Sequence, residues 1–353
     1  MVLDRPTVRS RSRLVVALVT VTLVLAAAAL VAWRTLERGT DFSEAVALAP
    51  AGTERVGWTD WAAVRDGDEP GSAADLDRML EAAYDSDLDA ASALVTSAET
   101  LRDRFEVSPA NLDWELFTQS AEGAALLLRL PEGYSFDDLG DRLASLGFTR
   151  PHSETGVWRG GADVVATIGA LTPQLQHWVL LEDDGLVVTS DTPEYAAAAA
   201  AAARGEGERV QGLEDVVDAT GAPVSALVYA AAYACERLAM AQADGRDQDQ
   251  AAELVRAAGG VNPLTGFALS TQPDGDVRVV MSFETEDQAR ANADSRAILA
   301  AGPAPGQGGD FTDRFSVSSA TAEGRVVVLA LQPVDGVSVV SDLGAGPVLF
   351  ATC

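Results

Sequence analysis

No lysine occurs anywhere in the 353 residues, and all 25 basic side chains are arginine. That absence excludes Schiff-base catalysis, a Ser–Lys dyad and the phosphate-gripping lysine of a P-loop. Histidine is nearly as scarce: His152 and His177 are the only 2, and neither sits in a metal-ligand pair of the H-E-x-x-H kind. Both read as surface or strand-end residues. No G-x-S-x-G nucleophile elbow is present, and Gly205-Glu206-Gly207 and Gly344-Ala345-Gly346 both stop short of the dinucleotide pattern G-x-G-x-x-G. The reading is accordingly non-enzymatic, with no catalytic, cofactor-binding or metal-ligating residue assigned.

Cysteine is confined to Cys235 and Cys353. Neither follows the N-terminal apolar run closely, which excludes lipid attachment of the bacterial lipoprotein kind. An even count outside the cytoplasm predicts a disulfide between them, closing a loop of 118 residues and pinning the C-terminus.

What is present begins with an address. Arg5, Arg9, Arg11 and Arg13 precede an uncharged apolar run, residues 14–33, that ends at Trp33. Roughly 20 apolar residues at about 1.5 Å each match a hydrocarbon core of about 30 Å. The flanking arginines place the N-terminus in the cytoplasm and send the rest across the membrane. The expected organisation is a cytoplasmic tail at 1–13, a single-pass signal anchor at 14–33, a juxtamembrane linker at 34–45, and an ectodomain with lobes at 46–204 and 213–353. A cleaved signal is the competing reading, because Ala26 to Ala29 offer A-x-A spacing. The unbroken apolar sequence beyond them favours an uncleaved anchor.

The exported part is strongly acidic. The whole chain carries −28, and the part beyond residue 33 carries −31. Such a surface does not neutralise phosphate, so nucleic acid is excluded as a partner. Mutual repulsion keeping the domain soluble is the plain explanation.

Short apolar runs, turn signals and capped helices then alternate, which predicts an α+β fold of antiparallel sheets. Residues 178–181, Asp184-Gly185 and 186–189 read as a hairpin, followed by Thr192 as N-cap and Pro193 in the first turn of a helix. The order recurs at 267–270, Asp274-Gly275 and 277–283, with Thr285 capping the next helix. A partial copy has a strand at 124–130 and Ser135 with Asp138 opening a helix. Three such units suggest two related strand-hairpin-helix lobes. Residues 224–234 read as a strand running into a helix, 244–249 as a polar loop, and 337–340 with 348–350 as further strand.

Two constellations invite a ligand. Trp58 and Trp61, three positions apart, would share one side of a helical turn and could stack on a sugar or hydrophobic ligand; the alternative is that they anchor the first element in the core. Asp85, Asp87 and Asp89 open like a calcium loop, but Ala90 and Thr96 stand where such a loop needs glycine and a bidentate glutamate. They read as charges on a solvated face or helix start, as do Asp244, Asp247 and Asp249.

The Arg-flanked anchor, the Trp58–Trp61 segment and the ending Gly346-Pro347-Val348-Leu349-Phe350-Ala351-Thr352-Cys353 together resemble uncharacterised actinobacterial envelope proteins. Those carry one N-terminal membrane helix and an Ala/Gly-rich exported domain, and the resemblance transfers no catalytic residue. The function expected is a membrane-anchored extracytoplasmic binding or assembly module at the cell membrane. Its partners would be an envelope protein or a hydrophobic ligand. The alternatives are a carrier of lipid or another hydrophobic ligand and a hydrolase of envelope glycans.

Overall fold

Alternation of inward and outward side chains along short apolar runs builds one antiparallel sheet. The computed structural model describes residues 40–65 and 73–353. Its strands are β1 (Arg55–Thr59), β2 (Trp114–Ser120), β3 (Gly123–Arg129), β4 (Trp158–Arg159), β5 (His177–Leu181), β6 (Leu186–Ser190), β7 (Ser225–Ala230), β8 (Gly266–Thr271), β9 (Val277–Ser282), β10 (Phe315–Glu323) and β11 (Val326–Pro333). They lie side by side in the order β10-β11-β9-β8-β7-β1-β2-β3-β6-β5-β4. With helices on both faces, the class is α+β.

The order has a centre. From β1 outward the strands run β1, β2, β3, β6, β5; from β7 outward they run β7, β8, β9, β11, β10. In each half the third strand leads through a helix into a hairpin that returns beside it. The two first strands pair antiparallel, Arg55 opposite Tyr229 and Thr59 opposite Ser225. Corresponding strands paired this way are related by a local twofold axis between them.

Local chemistry starts the helices. Ser135 accepts from the Asp138 N–H ahead of helix Phe136–Ser145, and Thr285 accepts from Gln288 ahead of helix Glu286–Ala300. Thr192 accepts from Tyr195, with Pro193 in the first turn of helix Pro193–Ala203. That helix is almost all alanine, and Ala196, Ala199, Ala200 and Ala203 are buried against the sheet.

The core is split by the sheet, as period-two alternation requires. One face carries Val56, Trp58, Leu116, Leu127 and Val188, with helix Pro193–Ala203 over β3, β5 and β6 and Phe42 of helix Asp41–Val46 against Trp58, and it carries Val228 and Val280 beneath helix Glu214–Thr220. The other face carries Phe117, Leu126 and Leu128 under helices Ala98–Phe105 and Phe136–Ser145. Its second half carries Leu227, Phe267, Val279 and Leu329 under helix Glu286–Ala300 and the C-terminal segment.

Three local expectations change. Residues 337–340 and 348–350 form no strand; the chain there makes helix Val339–Gly344 and a short 3-10 turn, Leu349–Ala351. Residues 244–249 are not a loop, because Asp244 accepts from the Asp247 N–H and opens helix Gly245–Ala257. The stretch expected as linker at 34–45 contains the start of helix Asp41–Val46, whose Phe42 is buried against Trp58. No helix among the described residues is long and apolar enough to cross a membrane. The tail at 1–13 and the apolar run at 14–33 lie outside the described residues.

Candidate functional site

The two halves end differently, and the difference makes a groove. In the first half, β4 pairs only Trp158 with Trp178 and Arg159 with His177, and the chain reaches it at the Leu180 end from a turn in which the Gly156 N–H donates to the Ser153 carbonyl. The Gly160 and Gly161 N–H groups both donate to the Gln176 carbonyl, so that carbonyl points outward from β5. Main-chain groups alternate in direction along a strand, which aims those of Trp178 and Leu180 outward as well. Trp178 meets Trp158. Among the described residues, no strand lies beside Leu180 on that side.

Leu180 borders a groove of about 420 Å³, with Phe136, Gly140 and Trp158 as its apolar floor. Gly140 lets its helix approach: a Cβ there would stand 3.3 Å from the Trp158 ring. The Arg150 guanidinium lies 4.8 Å from the centre of that ring and donates to Asp141 at 2.9 Å. The loop carrying Arg150 makes one wall, and the exposed hairpin tip Glu182–Asp184 closes one end.

Charge in the groove is one-sided. Arg150 is engaged by Asp141 and Arg204 by Glu206. Among the described residues, no ion pair engages Asp137, Glu154, Glu182 or Asp183, all of which border the groove. The site therefore offers an unpaired strand edge, an apolar floor and a negative rim.

The tryptophans expected to stack on a ligand are elsewhere. Trp58 and Trp61 are 1% and 0% exposed, and they belong to core clusters on opposite faces of the sheet. β1 ends at Thr59 and Trp61 opens a helical turn, so the pair never shares one side. Trp58 Nε1 donates to the Pro223 carbonyl at 3.0 Å, and its ring packs on Phe42 and Trp114. Trp61 Nε1 donates to Glu115 at 3.1 Å. With both faces covered, neither indole is open to a ligand, and the anchoring alternative describes the geometry.

Glu115 carries no signal in the sequence beyond being an acid in an apolar strand. Fully buried, it accepts from Trp61 Nε1, from Ser92 Oγ at 2.7 Å and from the Ala93 N–H at 2.7 Å. Burial outweighs those bonds and pushes its carboxyl up to about 7. Held among these donors, it ties the 92–94 segment to the sheet.

Cys235 and Cys353 are bonded, with Cα atoms 5.7 Å apart. Of the Asp85, Asp87 and Asp89 group only Asp87 is buried, and its carboxylate is occupied by Val340 and Ser341. It borders a second cleft of about 540 Å³ with Asp274, Asp276 and Asp335. Among the described residues no group of three His, Cys, Asp or Glu side chains is placed to hold a metal ion. His152 is exposed on the groove wall, whereas His177 begins β5 with its Nδ1 buried and without a partner. Burial and then the Arg159 charge lower the His177 imidazole from its ordinary value.

No family model matches the chain, and no curated protein matches it. A solved chain described as "Structure of crystal form I of TP0453" is similar over 89% of this chain and 100% of that one, at 8% identity and a TM-score of 0.40. At that distance it carries no argument about function.

Proposed function

We propose that this protein is a non-enzymatic binding or assembly module of the cell envelope, held to the membrane by residues 14–33 with its folded part outside the cytoplasm. Two related lobes, joined at β1 and β7, would form the exported body. The observation that carries the reading is the groove at the outer end of the first half: an unpaired main-chain edge over an apolar floor is a surface built to be covered by another chain. The disulfide supports an oxidising compartment. The acidic body supports a partner that is neutral or basic.

A carrier of lipid would enclose its ligand among apolar side chains. The groove instead borders charged residues along its rim, which favours a protein partner. A glycan hydrolase would set a protonated carboxyl and a carboxylate across a cleft. Glu115, the carboxyl held near neutrality, is enclosed by its own donors, which weighs against that alternative.

The test is photo-crosslinking in intact cells, with a light-activated residue at position 183 and a control at Asp294. Capture of the same envelope protein from position 183 but not 294, together with resistance of the full chain to alkaline extraction from membranes, is the expected result. Equal capture from both positions, or none, would remove the binding-module reading.

A further inference from the structure

The groove at the β5 edge also specifies what it takes, and this step rests on the binding-module reading. We infer that an extended, arginine- or lysine-bearing segment of a partner protein adds as a strand beside β5, bonding the Leu180 main chain and placing its cations against Glu182 and Asp183. Trp158 opposite Trp178 sets the antiparallel direction, because an added strand continues the ladder that β4 begins. A residue facing Leu180 would rest its side chain on the floor of Trp158, Phe136 and Gly140. Antiparallel pairing then puts the preceding one or two residues at the tip carrying Glu182 and Asp183. The motif read by the groove is basic residues followed closely by an apolar one.

Charge selects the class of segment. The arginines bordering the groove are already paired, while Asp137, Glu154, Glu182 and Asp183 are engaged by no cation among the described residues. An acidic segment would meet uncompensated repulsion there, and a basic one would find complementary charge. The opposite end of the sheet lacks these features. β10 is irregular between Val317 and Ser319, and its outer residues Ser316, Ser318, Ser319, Thr321 and Glu323 are exposed and polar. Such bulged, polar edges resist strand addition.

The experiment uses the detergent-solubilised full chain and three capped octapeptides: alternating Arg–Val, alternating Glu–Val, and Arg–Val methylated on alternate main-chain nitrogens. Fluorescence anisotropy reads binding, and hydrogen exchange with mass analysis reads the 177–181 segment. The Arg–Val peptide is expected to bind and slow exchange at Leu180, with the other two failing. Neutralising the tip as E182Q with D183N, both exposed positions, is expected to weaken binding about tenfold. Binding without slowed exchange, equal binding of the Glu–Val peptide, or no binding of any probe would overturn strand addition. If crosslinks from position 183 persist in that case, the binding-module reading stands without this mode.

Discussion

Asp87 caps Ser341 from 254 positions away. Its carboxylate accepts from the Val340 and Ser341 N–H groups and from the Ser341 hydroxyl, so the first turn of helix Val339–Gly344 is satisfied by the far half of the chain. The backbone of Asp87 sits at φ 55°, a conformation that aspartate and asparagine tolerate better than alanine does. D87A is therefore expected to cost about 3 kcal/mol, combining lost bonds with backbone strain. D87N, which keeps an acceptor and the tolerance, should cost less than half of that. Urea unfolding of both variants checks the order, and equal losses would contradict the capping account.

Glu115 makes stability depend on pH in a direction opposite to most carboxylates. Burial holds its carboxyl at about 7, above its ordinary value of 4.5. Its contribution is fully present below about 4.5, declines as pH rises toward 7, and is lost above it, amounting to on the order of 3 kcal/mol. E115Q cannot ionise. Its stability relative to the native protein should rise between pH 4.5 and 7.5, read from paired urea midpoints; a difference that stays flat across that range would place the native carboxyl at its ordinary value.

Arg296 is a buried cation that no acid engages among the described residues. Its guanidinium donates to the carbonyls of Phe350 at 2.8 Å, Thr352 at 2.6 Å and Asn262 at 2.6 Å, and lies 5.7 Å from the centre of the Phe283 ring. Burial alone pushes the group down to about 9. A lysine ammonium is a compact point charge without the planar fork that spans these carbonyls. R296K is expected to lose about 2–3 kcal/mol through unsatisfied main-chain acceptors. Thermal unfolding checks it, and a loss below about 0.5 kcal/mol would show that the carbonyls find other donors.

Much of the fold was legible because its signals are local. Thr192 with Pro193, Thr285 before Glu286, and Asp274-Gly275 between apolar runs each act within a few residues, and each marks the element observed. Residues 337–340 misled for the opposite reason: valines with strand propensity became helical because Asp87, far away in sequence, supplies the cap. Trp58 and Trp61 misled because a strand ends between them, which changes the period that places side chains. The groove was not legible at all. Its floor and rim come from Phe136, Arg150, Trp158, Leu180 and Asp183, brought together only by the pairing of β4 with β5. A two-residue strand gives no periodicity to read.

The disulfide and Arg296 hold the same segment, and that overlap makes a prediction about their coupling. Cys235 bonds Cys353, while Arg296 grips the carbonyls of Phe350 and Thr352 just before it. Phe350 is itself buried against Phe311 and Phe315. Reduction should therefore leave the C-terminus docked, with the loss arising mainly in the unfolded chain, where opening a loop of 118 residues is worth about 5 kcal/mol. The reduced protein is expected to keep its far-ultraviolet circular dichroism yet unfold at lower urea. R296K alters that outcome, because the oxidised bond still tethers a segment whose other clamp is weakened. Its cost should be larger by about 1 kcal/mol in the C235S/C353S background than in the native one. Strictly additive costs in this double-mutant cycle would mean that the two clamps act on independently ordered segments.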